Sequence, residues 1–455
     1  MAASLEAPER RRPKLGRRGN AAPRDGRRNV EFGLLVFGVI CTAAAYTLAS
    51  LGETASIPAN IGPFLGVVVG LLMLAHVANR SLASTANPTL LPLAGLLNGL
   101  GYVFIARLDE GDRLAGLQAT WTAVGIAAYV ATLLFVRRTR QLEAYRYTFF
   151  VIGLGLLLLP LMPGLGRSVN GARIWVRLGP INFQPGEFAK VALAIFFAAY
   201  LVEKREMLSI STFRIGPIST PDPRHLGPVL LAWGTSLVVM VAERDLGSSL
   251  LFFALFMVLV WVATQRLIYP FTGVVLFGMG AAFSYNFFNH VRVRFNTWLD
   301  PWPDASDSGY QVVQSWFALA WGGITGTGPG LGDPDRVPAA PTDFIFAVIG
   351  EELGLAGATV ILMTYMVMVG SGLAIALRAT NPFDKLLATG LTALIGVQSF
   401  IIIAGVIRLL PLTGVTLPFV SYGGSSLVAN YVLLALLVRV SDQTNKSSPS
   451  GGMRQ

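Results

Sequence analysis

Apolar stretches close to 20 residues long recur from residue 31 to residue 438, and no other feature constrains the fold of this chain so strongly. A helix needs about 20 apolar residues to cross the hydrocarbon core of a bilayer. Inside that core every backbone N–H and C=O must be bonded within the protein, so a run of this length is stable there only as a helix. We read twelve spans, at 31–51, 62–79, 88–106, 116–136, 145–161, 187–202, 226–242, 247–263, 267–287, 344–370, 385–407 and 418–438. The expected fold is an all-α polytopic membrane protein of about twelve transmembrane helices. Charged residues make up only 13% of the chain, about half the share of a soluble domain. The span at 88–106 is the least regular, because Pro88, Pro92, Asn98 and three glycines interrupt it. The spans at 226–242 and 247–263 are parted only by Glu243-Arg244-Asp245-Leu246 and also read as one kinked helix.

Residues 1–30 hold nine Arg or Lys against three Asp or Glu and supply most of the net charge of +10. With no apolar period, that segment is expected to be a disordered basic cytoplasmic tail, and the charge does not argue for nucleic acid. The first apolar run is long enough to anchor, and no cleavage-site pattern follows it. Arg and Lys favour one side, including Arg137, Arg138, Arg140 and the 203–225 loop. By the positive-inside rule that side is cytoplasmic. Both termini, including a polar tail at 441–455, then lie inside, and the long polar loop at 287–343 lies outside. One cysteine, Cys41, and three scattered histidines leave no disulfide framework and no histidine-based zinc site. There is no Walker A loop, HExxH or strand-borne GxGxxG, so no nucleotide is expected.

Four clusters carry polar residues where spans begin or end. The first is Pro341-Thr342-Asp343-Phe344-Ile345-Phe346-Ala347-Val348-Ile349-Gly350-Glu351-Glu352-Leu353-Gly354. Asp343 stands at the foot of the external loop, where a carboxylate can take a proton from an attacking hydroxyl. It reads equally as a helix N-cap. Glu351 and Glu352 follow two turns deeper, where carboxylates face a bundle interior or a wet cavity. The second cluster joins Arg173 and Trp175 on an external loop to Gln184, Glu187 and Lys190. Glu187 and Lys190 share a helix face and can pair, as structural glue or as part of a cavity. Asp245 in Arg244-Asp245-Leu246-Gly247-Ser248-Ser249 is the third, able to pair with Lys190 or to line a polar cavity. The fourth runs from Pro411 to Ser426 and contains Ser421, Gly423 and Gly424, where small residues allow close packing. The glycine-rich 326–332 segment fits either a phosphate cradle or a plain turn-rich loop.

Taken in order, GARIW with FQPGEFAK, RDLGSS, TDFIFAVIGEELG and PLTGV-LPFVSYGGSS resemble the SEDS family of shape, elongation, division and sporulation proteins, over roughly 145–440. The fourth motif looks closer to the elongation branch than to the division branch. The resemblance implies a GT-C-like fold with a large external loop, and a peptidoglycan glycosyltransferase that polymerises lipid II into glycan strands outside the plasma membrane. It implies a class B penicillin-binding transpeptidase as partner and a divalent cation, magnesium or manganese, as cofactor. By motif match Asp343 is the catalytic aspartate, and the substrate cavity takes Arg173, Trp175, Gln184, Glu187, Lys190 and Asp245; Glu352, Ser421, Gly423 and Gly424 are further candidates for that cavity. Arg173 or the cation would assist the departing diphosphate. The sequence departs from the family pattern at Pro341, Ile402 and Arg408. Because most members have about ten spans, 31–87 looks like an added helix pair. The rival readings are a lipid II transporter and a non-catalytic scaffold.

Overall fold

The structure is a computed structural model and describes residues 24–57, 61–109, 113–169, 172–179, 181–209, 213–215, 218–220, 234 and 245–447. The expected span at 226–242, Asn170-Gly171 and Glu243-Arg244 lie outside these residues. Among the described residues ten helices are long and apolar enough to cross a membrane. In chain order the helices are α1 (Arg24–Thr54), α2 (Ile61–Leu82), α3 (Leu90–Arg107), α4 (Arg113–Phe135), α5 (Thr139–Ala144), α6 (Arg146–Leu158) and α7 (Gly186–Ser209). They continue as α8 (Leu246–Thr264), α9 (Ile268–Phe287), α10 (Asn289–Leu299), α11 (Tyr310–Gly322), α12 (Ile345–Arg378), α13 (Pro382–Val406) and α14 (Gly424–Ser447). The apolar helix expected at 145–161 is present but short.

Two expectations change. The basic segment before residue 31 is helical from Arg24, because Arg28 is buried, bonds the Ala86 carbonyl and pairs with Glu31. Likewise α14 runs on through 441–447, where Asp442 is buried and accepts from the Thr85 amide and hydroxyl. The fold is the expected all-α membrane architecture, with a small antiparallel sheet beside the helices formed by β1 (Gly166–Val169), β2 (Ala172–Leu178) and β3 (Ile181–Phe183), with Arg167 opposite Trp175 and Val176 opposite Phe183. The alternation of Arg173, Trp175 and Arg177 with Ile174 and Val176 suits a pleated strand with one covered face.

The irregular α3 is buried at the centre of the bundle. Its glycines mark close approaches: a Cβ at Gly99 would come 2.3 Å from Thr42 Oγ1 on α1, and one at Gly101 would come 2.3 Å from the Val420 carbonyl. Asn98 donates to Thr122 and Tyr431.

The expected span at 344–370 is in fact interrupted. Gly354 stands at φ 65° and ψ −167°, which ends a first helical segment at Leu353. The amides freed by the break are bonded elsewhere, Leu355 to the Gly323 carbonyl and Ala356 to that of Ile324. Residues 355–378 continue as a helix about 36 Å long at 1.5 Å per residue, enough by itself to cross a bilayer. Glu351 and Glu352 sit in the shorter segment before the break.

Candidate active site

The connection into α12 is a set of turns whose shape is fixed from the chain's other end. The Tyr422 amide donates to the Pro341 carbonyl at 2.8 Å, and the Ser421 hydroxyl donates to the Thr342 carbonyl at 2.6 Å. Ser421 Oγ also accepts from the Leu417 amide. Thus Ser421 braces the residue before Asp343 against the 411–426 segment. The helix N-cap is Phe344, with no side-chain capping bond. The capping role considered for Asp343 is not what the structure shows.

Asp343 is partly buried. Two charged groups from distant elements act on it: Arg294 of α10 and Asp245 at the head of α8. Asp245 caps α8 by accepting from the amides of Gly247 and Ser248 at 3.0 and 3.2 Å, and it also accepts from the Ser248 hydroxyl. Arg294 Nη1 donates to the Thr413 carbonyl at 3.3 Å. The 413–415 segment lies across the head of α8, where a Cβ on Gly247 would come 2.8 Å from the same Thr413 oxygen. Between these groups is Gly414, at φ 73°. A Cβ there would lie 3.9 Å from both Arg294 Nη2 and Asp343 Oδ2, with nothing else within 4 Å among the described residues. The missing side chain leaves open space between a cation and a carboxylate.

Burial pushes the Asp343 carboxyl up to about 6, with Arg294 and the Thr342 hydroxyl pulling it down and Asp245 pushing it up. Burial also raises Asp245, against the Ser248 and Gly247 bonds and Arg294. A carboxylate poised near 6 is ionised at neutral pH yet basic enough to accept a proton.

Lys190 pairs with Glu187 at 2.6 Å rather than with Asp245. Its second bond, at 2.7 Å, goes to Gln398, which donates to the Thr416 carbonyl. Thr416 in turn bonds Ser426, and Ser425 accepts from the Gln184 backbone amide. This second network ties α7, α13 and α14 together beneath the 411–426 segment. Arg173 stands exposed on β2 with Trp175 half-buried beside it, and among the described residues the cation that acts on Asp343 is Arg294.

Glu352 is bonded to the glycine-rich segment, accepting from the Gly330 amide at 2.9 Å and lying 3.5 Å from Arg107. Glu351 accepts from the Asp333 amide. Both carboxylates hold the 326–333 segment against α12. Gly424 is a packing position, since a Cβ there would strike the Trp121 ring at 2.2 Å, while one on Gly423 would come 3.1 Å from Thr416.

Sequence reasoning missed Arg294. The only signal was its place in the basic Arg292-Val293-Arg294 run at the start of the long loop, and that run does not reveal which carboxylate it faces.

A family model described as a cell cycle protein, FtsW/RodA/SpoVE, matches residues 89–446. A peptidoglycan glycosyltransferase RodA of Mycobacterium tuberculosis is 46% identical over 428 residues, 92% of this chain and 91% of the relative. A probable peptidoglycan glycosyltransferase FtsW of Geobacter metallireducens is 35% identical over 337 residues, 74% of this chain and 86% of the relative. Among solved structures, the rod shape determining protein RodA of Thermus thermophilus is similar at a TM-score of 0.55 and 26% identity, over 78% of this chain and 96% of that one. A chain of a peptidoglycan synthase complex that coordinates polymerization and crosslinking gives a TM-score of 0.66 at 26% identity, over 79% of this chain and 98% of that chain.

Proposed function

The chain belongs to the SEDS family, the FtsW/RodA/SpoVE cell cycle proteins, and from that premise we infer that it is a multi-pass membrane peptidoglycan glycosyltransferase. Its substrate on this reading is lipid II, its product a β-1,4 glycan strand, and its role that of the elongation branch. One observation carries the assignment of the site: Asp343, with its carboxyl raised to about 6, faces Arg294 and Asp245 across space that Gly414 keeps open.

Asp343 takes the proton from the 4-hydroxyl of the acceptor's terminal GlcNAc as that oxygen attacks C1 of the donor MurNAc. The new O–C1 bond forms while the bond from C1 to the diphosphate oxygen breaks, and the electron pair leaves with undecaprenyl diphosphate. The donor's α linkage becomes β in one displacement, so one base suffices. Arg294, facing Asp343, supplies positive charge that favours the ionised carboxylate before it accepts the proton. Asp245, held by its capping bonds, fixes the head of α8 against 413–415 and with it the backbone that holds Arg294.

A divalent cation, magnesium or manganese, fits this site in a limited way. Among the described residues no three His, Cys, Asp or Glu side chains converge. Magnesium commonly takes one or two carboxylates and completes its shell with substrate phosphates and water. Asp343 would hold it, since Gly414 leaves the space beside Asp343 Oδ2 open. When bound it would neutralise charge on the leaving diphosphate.

The partner on this reading is a class B penicillin-binding transpeptidase, which cross-links the strands made here. The termini are cytoplasmic and the Asp343 site faces outward. A transporter would need an unpaired polar path through the bilayer, whereas Glu187 and Lys190 neutralise each other and are buried. The test is purified full-length protein given lipid II and magnesium or manganese, with glycan strands resolved on gels. Absence of polymer from well-folded protein would overturn the reading.

A further inference from the structure

Arg408 occupies a left-handed backbone position, φ 67°, that a side chain rarely adopts without compensation. The compensation is visible in what its guanidinium holds. Arg408 Nε donates to the Trp298 carbonyl at 3.2 Å and Nη2 to that of Leu299, two of the carbonyls that the end of α10 leaves without partners. Trp298 returns the bond, donating its indole N–H to the Arg408 carbonyl at 3.0 Å. The guanidinium lies 4.7 Å from the centre of the Trp316 ring on α11. Arg294 is four residues before Trp298, so both project from one face of α10. Both line a cavity of about 50 Å³, together with Gln311, Arg408 and Leu412. The 408–414 segment therefore grips α10 at two points: Arg408 at the helix end, and the Thr413 carbonyl at Arg294.

Resting on the glycosyltransferase reading, we propose that Arg408 is a positioning residue for the transfer reaction: it fixes the end of α10 so that Arg294 stays facing Asp343. Arg408 does not touch the reacting groups. It acts through α10, and it stands at the surface, so removing it opens no core.

The test uses full-length protein carrying Arg408→Gly, which keeps the left-handed turn without strain, and Arg408→Lys, which keeps the charge but loses the paired bonds. In Arg408→Gly amide exchange should quicken over residues 291–299, and kcat should fall about tenfold or more with KM little changed, as small misplacements of a catalytic group do. Arg408→Lys should recover part of that kcat. A folded Arg408→Gly protein with wild-type exchange over 291–299, or with wild-type kcat, overturns the proposal. A lowered melting temperature with kcat and KM unchanged marks a merely structural role and also overturns it. Should Asp343→Asn polymerise normally, the base assignment fails instead, and the exchange measurement still judges the latch by itself.

Discussion

On the proposed reading the chemistry turns on Asp343, and its substitution separates catalysis from folding. Asp343→Asn keeps the size and removes the base, so the rate of polymerisation should fall by about 10² to 10⁴. Normal glycan synthesis by that variant would remove Asp343 from the mechanism. The same change has a stability consequence with a definite sign. The folded carboxyl titrates near 6 against an ordinary 3.8, so the folded protein binds the proton more tightly than the unfolded chain does. Ionisation in place therefore costs stability, fully above about pH 6 and not at all below the ordinary value. Asp343→Asn should raise the melting temperature at pH 7.5, and that gain should shrink as the pH falls through 6 toward 4. A melting temperature lowered at neutral pH would contradict this balance. Lys190 presents the opposite case. Its pair with Glu187 is buried on both sides, and Lys190→Met leaves a buried carboxylate unpartnered, a loss of about 3–5 kcal/mol. Thermal unfolding in detergent should show it, and an unchanged midpoint would mean that Lys190 is kept for substrate contact.

Among the elements, the broken α12 does most to place the site. Its first segment, Ile345–Leu353, sets Asp343 at the foot of the long polar loop, and the break at Gly354 lets the glycine-rich segment dock into it. A Cβ at Gly354 would meet the Gly326 amide nitrogen at 2.3 Å and the Ile324 carbonyl oxygen at 2.5 Å. Left-handed geometry alone costs a non-glycine residue about 1–3 kcal/mol. Gly354→Ala should therefore lower both the melting temperature and the polymerisation rate, with protease nicking appearing within 323–333. Wild-type stability would show that the break is not needed. The break itself was not legible beforehand. A glycine in an apolar run is tolerated in many membrane helices, and only the docking of 323–333 turns this one into an end. The site's two glutamates were read two turns deep in a span for the same reason.

At the scale of the molecule, the end of α1 joins the glycine-rich segment. The family match begins at residue 89, and no motif residue falls in 31–87, so the helix pair there reads as dispensable in sequence. In the structure a Cβ on Gly330 would strike the Ala49 carbonyl at 2.0 Å, and one on Gly52 the Pro329 carbonyl at 2.1 Å. Arg107 bridges Glu53 and Glu352 and also donates to the Gly332 carbonyl. The end of α1 thus packs on the segment that Glu351 and Glu352 hold. Deleting residues 1–87 should leave an inserted protein with markedly reduced polymerisation, and full activity in the truncation would show this contact to be idle. Sidedness is open to a direct test as well. A membrane-impermeant thiol reagent should label a cysteine placed at Ser308 in intact cells and spare one placed at Ser209. Reversed labelling would put the Asp343 site on the cytoplasmic side.

The sequence by itself determined the solvent this chain lives in and the approximate place of nearly every helix, and it singled out Asp343 as the base we propose. Run length is a local property set by bilayer thickness, and the motif around Asp343 is contiguous. It also marked Asp245, Glu187, Lys190 and Ser421 as polar groups at span ends, but left their partners open. The tertiary structure decided those partners. Asp245 went to the Gly247 and Ser248 amides rather than to Lys190, Lys190 to Gln398 across 208 residues, and Ser421 to Thr342 across 79. It also set Arg294 near Asp343, and put the first helix against the glycine-rich loop. A charge in a membrane protein must find a counter-charge or a hydrogen-bond partner, and the chain pattern states that need. Which group meets it depends on which helices pack together, a contact between residues far apart in the chain that no local period records.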